Sequence, residues 1–204
     1  MRLSIENLKR GMTWWQGKWP SDYLNQEYYS IYQDRANGLT EQWLILAVDR
    51  LAKWRALRSS KPGNTKAKFL SLLKAELPNI QTEYQRLLDL SKDEPSIDTV
   101  SWQNVDALYT MIAEIKNRSE VFASKLCHFI FPKIFIVMDN VGTKVMAYDY
   151  YWQGMVNEWS LFADRNVAID LLKTEIEKQS YIVHDNYPYE TKIMELYHIG
   201  DKWK

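Results

Sequence analysis

The chain has 204 residues, of which 46% are hydrophobic and 25% are charged, as in globular proteins with one sizeable core or two small lobes. No apolar run approaches the roughly 20 residues that a membrane-spanning helix needs, and the first residues lack a signal-peptide core. The single cysteine, Cys127, excludes an intrachain disulfide, and three scattered histidines add no metal-ligand cluster. We therefore expect a cytoplasmic protein with no cofactor and no membrane partner.

The charges are unevenly distributed although the formal net charge is zero. Residues 50–74 contain no acidic residue, and their basic residues are Arg50, Lys53, Arg55, Arg58, Lys61, Lys66, Lys68 and Lys74. Such a basic stripe can attract phosphates even in a neutral protein. A solvated helix face followed by a basic loop explains the same residues equally well.

Apolar residues at spacings of three and four predict helices along nearly the whole chain. In the first half, Thr40 should cap a helix that runs to about residue 57, and Asn64 or Thr65 should cap the next. Pro78 should start another helix, and Ser101 should cap the one that follows.

In the second half, the pattern predicts a helix over about residues 120–131, and Asp139 should cap the helix after it. Further helices are expected near residues 155–162, 166–178 and 189–197. Residues 134–137 and 181–184 have strand-like composition but no convincing partner. We therefore predict an all-α fold, in one domain of two lobes, and residues 91–100 are the candidate lobe boundary.

The residues best suited to chemistry lie between positions 123 and 141. Lys125 and His128 share one helix face, Pro132 breaks that helix, and a buried apolar run over residues 134–138 ends in Asp139. A carboxylate at a helix start is held ionised and can stabilise a cation or activate water, and a desolvated lysine can act as a nucleophile. Purely structural roles also fit: a cap for Asp139, a surface charge for Lys125 and a core position for His128.

This region resembles a known family. It is similar to the bacterial 8-oxoguanine DNA glycosylase-like proteins of the helix-hairpin-helix DNA glycosylase superfamily over about residues 119–145. The matching residues are Ser124, Lys125, Leu126, His128, Phe129, Pro132, Phe135 and Asp139. A later segment is also similar to that group, through Pro188, Glu190, Lys192 and Glu195.

The resemblance implies a two-lobed helical bundle with a cleft and excision of a base flipped out of duplex DNA. Asp139 would stabilise the oxocarbenium-like sugar, and Lys125 would attack the sugar carbon to form a Schiff base, a route that also allows strand cleavage. His128 would orient Lys125 or contact the base. Tyr148 and Trp152 would form walls of the base pocket.

The chain departs from the family pattern at several points. The stretch that matches the family's glycine-rich hairpin, residues 116–121, has no glycine, so the hairpin is degenerate. Phosphate contacts are expected there from the side chains of Lys116, Asn117, Arg118 and Ser119, and elsewhere from Lys144, Arg55, Arg58, Lys61, Lys66 and Lys68. The separation of Lys125 from Asp139 is about one helical turn shorter than in the lysine enzymes. One cysteine cannot ligate the iron–sulfur cluster that some relatives hold.

Three functional hypotheses follow. The first is a DNA glycosylase, with or without lyase activity, that removes a damaged or modified base in repair or in phage defence. The second is a non-catalytic module with the glycosylase fold that binds DNA or a protein partner. The third is a helical interaction protein without a nucleic-acid role.

Overall fold

The computed structural model describes residues 3–18, 27–57, 65–90, 94–139, 147–179 and 181–203. Within these ranges it contains nine helices and no strand, so the predicted all-α class is confirmed. The helices are α1 (Ile5–Lys18), α2 (Glu27–Arg35), α3 (Glu41–Lys53), α4 (Lys66–Leu88), α5 (Trp102–Ile115), α6 (Glu120–Ile130), α7 (Tyr148–Leu161), α8 (Arg165–Lys178) and α9 (Tyr189–Lys202). The strand-like stretches at residues 134–137 and 181–184 are irregular. No described helix is long and apolar enough to cross a membrane.

The chain forms two compact units. The first comprises Met1–Gln33 with Ile136–Lys204, and the second comprises Asp34–Phe135. The polar break near residues 91–100 lies inside the second unit, so the division of the chain does not fall there. The first unit is therefore built from two distant pieces of sequence, whereas the second is continuous.

Side-chain caps start the helices of the second unit where the sequence predicted them. Thr40 Oγ1 accepts a hydrogen bond from the Trp43 amide at 3.1 Å, and Thr65 Oγ1 accepts one from the Lys68 amide at 3.2 Å. At the start of α5, the amide of Ser101 donates to the side chain of Asn104 at 2.8 Å. Each bond satisfies a polar group that the helix itself leaves unpaired at its N-terminus.

Helix α3 ends at Lys53 rather than near residue 57. Arg55 has a left-handed backbone with φ of 57°, its amide donates to Ala52 O at 3.0 Å, and the Ala56 amide donates to Leu51 O at 2.9 Å. This is a Schellman motif, which terminates a helix by turning the next peptides back onto its last carbonyls. The motif usually has glycine at the left-handed position, so an arginine there is not recognisable from the sequence as the end of a helix.

The sequence predicted that Pro78 starts a helix, and this prediction is wrong. Pro78 lies inside the 23-residue helix α4. Proline at an interior position removes one backbone donor and costs about 3 kcal/mol. Buried apolar residues continue on both sides of it: Phe69, Leu73, Leu77, Ile80 and Leu87. Burial of this continuous face outweighs the cost, because each such side chain contributes about 1.5–3 kcal/mol.

The first unit is organised around the pair α1 and α9, and α1 was not predicted from the sequence. Gly11 and Gly200 lie where the two backbones approach: a Cβ on Gly11 would lie 1.8 Å from Leu196 O, and one on Gly200 would lie 1.8 Å from Asn7 O. The buried positions of α1 are Asn7, Leu8, Gly11 and Met12. Asn7 and Gly11 are not apolar, so the buried face of α1 does not show up as apolar residues at helical spacing in the sequence.

Candidate functional site

Asp139 ends a buried segment whose backbone is fixed from α7. Phe135 through Met138 are buried, whereas Asp139 is partly exposed. Tyr148 Oη donates to Ile136 O at 2.7 Å, and Tyr151 Oη donates to Val137 O at 3.4 Å, all within the first unit. The two tyrosines thus hold the backbone two and three residues before Asp139, and this partly exposed acid follows directly on the buried segment.

Tyr148 and Trp152, expected as walls of a base pocket, are almost completely buried in the first unit. The Tyr148 ring lies 5.9 Å from that of Tyr151, which in turn meets the ring of His198 edge-on at 5.3 Å. The Tyr148 hydroxyl is used by a backbone carbonyl. In this structure Tyr148 therefore supports the backbone before Asp139 from inside the core.

The helix that Asp139 was expected to cap falls on residues 140–146, which lie outside the described part of the chain, as does the expected phosphate contact Lys144. The next described helix, α7, begins at Tyr148 after Ala147.

Lys125 and His128 belong to the second unit, whereas Asp139 belongs to the first. Lys125 is 6% exposed and its ammonium donates to Trp54 O at 3.0 Å, with the Trp54 ring centroid 6.0 Å from Nζ. His128 is 1% exposed, and its Nδ1 lies 2.5 Å from Phe135 O. Both side chains are thus engaged by backbone carbonyls of their own unit.

The turn between α5 and α6 occupies the position of the expected hairpin. Asn117 and Arg118 have φ values of 50° and 57°, so two non-glycine residues adopt the left-handed conformation in succession. The amides of residues 116–119 donate to Ala113 O, Glu114 O, Ala113 O and Lys116 O, respectively. These four N–H groups are consumed inside the turn, and the glycine-free hairpin therefore does not present them to a phosphate.

The side chains of this turn also have partners inside the second unit. Arg118 forms an ion pair with Glu114 at 2.7 Å on the surface, and Ser119 caps α6 by accepting from the Phe122 amide at 3.4 Å. Lys116 donates to the carbonyl of Ala56. Exposed pairs such as Arg118 with Glu114 are weak, so that guanidinium can exchange a carboxylate for a phosphate at little cost.

Lys116 and Lys125 converge on the turn that ends α3. Lys125 binds Trp54 O, and Lys116 binds Ala56 O two residues later. Burial lowers the pKa of Lys116, and the nearby Lys125 ammonium lowers it further. The sequence did not predict Trp54 and Ala56 as the partners of the two lysines, because the acceptors are backbone carbonyls and every residue type has one.

Ion pairs partly neutralise the basic stripe of residues 50–74. Arg50 binds Asp34 at 2.6 Å, Lys74 binds Glu41 at 2.7 Å, and Lys66 pairs with Asp49. The other members within the described residues, Lys53, Arg55 and Lys68, have exposed side chains. The predicted DNA contacts Arg58 and Lys61 lie outside the described ranges.

Among the described residues, no group of three or more histidine, cysteine, aspartate or glutamate side chains is placed to hold a metal ion. Comparisons of the chain with protein-family models, with curated proteins and with solved structures find no match.

Proposed function

We propose that this protein is a DNA glycosylase that removes a damaged or modified base by cleaving its N-glycosidic bond, with Asp139 as the catalytic residue. The observation that carries the proposal is the placement of Asp139. A partly exposed carboxylate ends a segment of otherwise buried residues, and two tyrosine hydroxyls fix the peptides just before it. A rigidly held charge stabilises a developing cation without reorganisation during the reaction.

The proposed role of the Asp139 carboxylate is electrostatic stabilisation of the transition state. As the bond to the base breaks, positive charge develops on the sugar, and a carboxylate at that position stabilises the oxocarbenium-like transition state. The same carboxylate can accept a proton from an attacking water. Such preorganised groups contribute on the order of 10²–10³ in rate each.

We assign hydrolysis rather than lysine attack to the reaction. The Lys125 side chain is only 6% exposed and its ammonium donates to Trp54 O, so a sugar carbon could reach the nitrogen only if the residues that cover it moved. His128 is likewise held against Phe135 O. Under the proposal both residues support the second unit, and a strand-cleaving activity of Lys125 is not needed.

The resemblance to helix-hairpin-helix proteins is supported by the order of elements. A tight turn of residues 116–119 joins α5 to α6, and α6 is followed by Pro132, the buried segment and Asp139. DNA binding is assigned to exposed cations of the second unit, Lys53, Arg55, Lys68 and Arg118. The duplex would be bound through phosphates, in the cytoplasm, during repair or phage defence.

The test is an excision assay on duplex and single-stranded oligonucleotides that carry oxidised, deaminated, alkylated or hypermodified bases. We expect the wild-type protein to release at least one base, and Asp139→Asn to reduce the rate by 10² or more while the protein remains folded. Asp149→Asn is the matched control, because Asp149 is also a partly exposed acid of the first unit. Equal excision by wild type and Asp139→Asn would refute the assignment.

A second candidate function is a non-catalytic module that binds DNA or a protein partner. The observation that favours it is that the Lys125 ammonium and all four turn amides are used within the second unit. DNA binding that weakens steeply with salt, without excision of any base in the panel, would support this alternative.

A further inference from the structure

The surroundings of the Lys116 amine favour its neutral, nucleophilic form over its charged form. Its Nζ lies 5.6 Å from the ring centroid of Phe69 and 5.8 Å from that of Phe122. Both rings are buried, whereas Lys116 itself is partly exposed. The amine is therefore partly desolvated against an apolar wall, while the residue as a whole keeps contact with solvent.

A second cation lies close to this amine. The Lys125 ammonium binds Trp54 O while Lys116 binds Ala56 O in the same short turn. A lysine that is partly desolvated and adjacent to another cation has a larger neutral fraction near neutral pH, and only the neutral amine is a nucleophile. The pKa of Lys116 is lowered by burial and by the Lys125 charge, in agreement with this arrangement.

The hydrogen bond to Ala56 O is compatible with reactivity. A neutral primary amine has two N–H donors and one lone pair, so it can keep one N–H on the carbonyl while the lone pair attacks. The product imine, when protonated, again has an N–H that can donate to Ala56 O. The carbonyl belongs to the turn that follows α3.

We propose that Lys116 is a covalent binding site for small anionic aldehydes or ketones, with Lys125 as the group that activates Lys116 and attracts the anion. The Lys116 nitrogen attacks the carbonyl carbon, water leaves with the carbonyl oxygen, and an imine remains. This site lies wholly in the second unit and does not depend on the glycosylase proposal.

The probe is pyridoxal 5′-phosphate, an anionic aldehyde, followed by borohydride, which adds hydride to the imine carbon and makes the adduct permanent. Peptide mass mapping then gives the labelling rate of each lysine at neutral pH. We expect Lys116 to be labelled at least tenfold faster than the exposed Lys53 and Lys68. Lys116→Arg should remove that adduct, and pyridoxal without the phosphate should label Lys116 several-fold more slowly.

Lys125 is tested by two variants. Lys125→Met should slow labelling of Lys116 several-fold, and Lys125→Arg, which keeps a cation, should restore most of the rate. Circular dichroism melting verifies that each variant is folded. If Lys125→Met does not fold, the comparison of the two probes on the wild-type protein is still decisive. Labelling of Lys116 no faster than that of Lys53 and Lys68 would overturn the site, and equal rates for both probes would overturn its preference for anions.

Discussion

The phenolic hydroxyl of Tyr148 donates a 2.7 Å hydrogen bond to the carbonyl oxygen of Ile136, three residues before Asp139. At the preceding residue, Phe135 O is bound by His128 within the second unit. Consecutive carbonyls at the point where the chain passes from one unit to the other are therefore each bound by a side chain of their own unit. Removal of either side-chain partner should loosen the segment that carries Asp139.

The Tyr148→Phe variant tests this support for Asp139. It removes the donor and leaves a buried carbonyl without that bond, so we expect a loss of about 1–3 kcal/mol in the free energy of unfolding. Under the proposed function, the excision rate should fall more than tenfold because Asp139 is less well positioned. Urea denaturation and the excision assay give the two quantities. Tyr150→Phe on the same helix is the control, because Tyr150 is 69% exposed and its loss should change neither.

The close approach of α1 and α9 predicts a sharp contrast among glycine substitutions. Gly11→Ala would place a methyl group 1.8 Å from Leu196 O, which forces the helices apart and should destabilise by about 1–3 kcal/mol or more. Gly17→Ala, at the other end of α1, meets nothing within 4 Å and should stabilise by up to about 1 kcal/mol. Thermal melting of the two variants measures the contrast. Equal melting temperatures would contradict the close backbone packing.

The left-handed Arg118 predicts a preference for glycine in the turn after α5. Its φ of 57° strains any residue with a Cβ, so Arg118→Gly should be more stable than Arg118→Ala by about 1 kcal/mol. Both variants lose the ion pair with Glu114 equally, and the comparison isolates the backbone. Urea denaturation curves of the pair provide the measurement, and a more stable alanine variant would argue against this turn conformation.

Cys127 predicts a pH dependence of both reactivity and stability. Burial raises the pKa of its thiol well above the ordinary value of 9.0. The folded protein therefore keeps this proton at pH values where the unfolded chain releases it. The resulting contribution to stability is fully present below pH 9.0 and is lost as the pH rises towards the folded pKa. Ellman's reagent should react with Cys127 only in denaturant, and rapid reaction of the native protein at pH 8 would contradict its burial.

The sequence predicted the local features of the fold well and the long-range ones poorly. Thr40 and Thr65 cap helices because capping involves only a few consecutive residues, and these predictions are confirmed. Pro78 was misplaced because a buried face shared by both halves of α4 outweighs a local signal. The engagement of Lys125 was not predictable, since its acceptor, Trp54 O, is 71 residues away in sequence and is a backbone atom.

The two-piece construction of the first unit has a consequence for how the chain folds. The second unit is one continuous stretch of the chain, so it can fold during synthesis once Phe135 has emerged from the ribosome. Helix α1 must wait for α9, its partner across roughly 180 residues of chain, and closing so long a loop carries an entropic cost that grows as about (3/2)RT ln n. Newly made α1 would therefore lack this partner until α9 has been synthesised, and a chain truncated before α9 would be a natural substrate for chaperones and proteases.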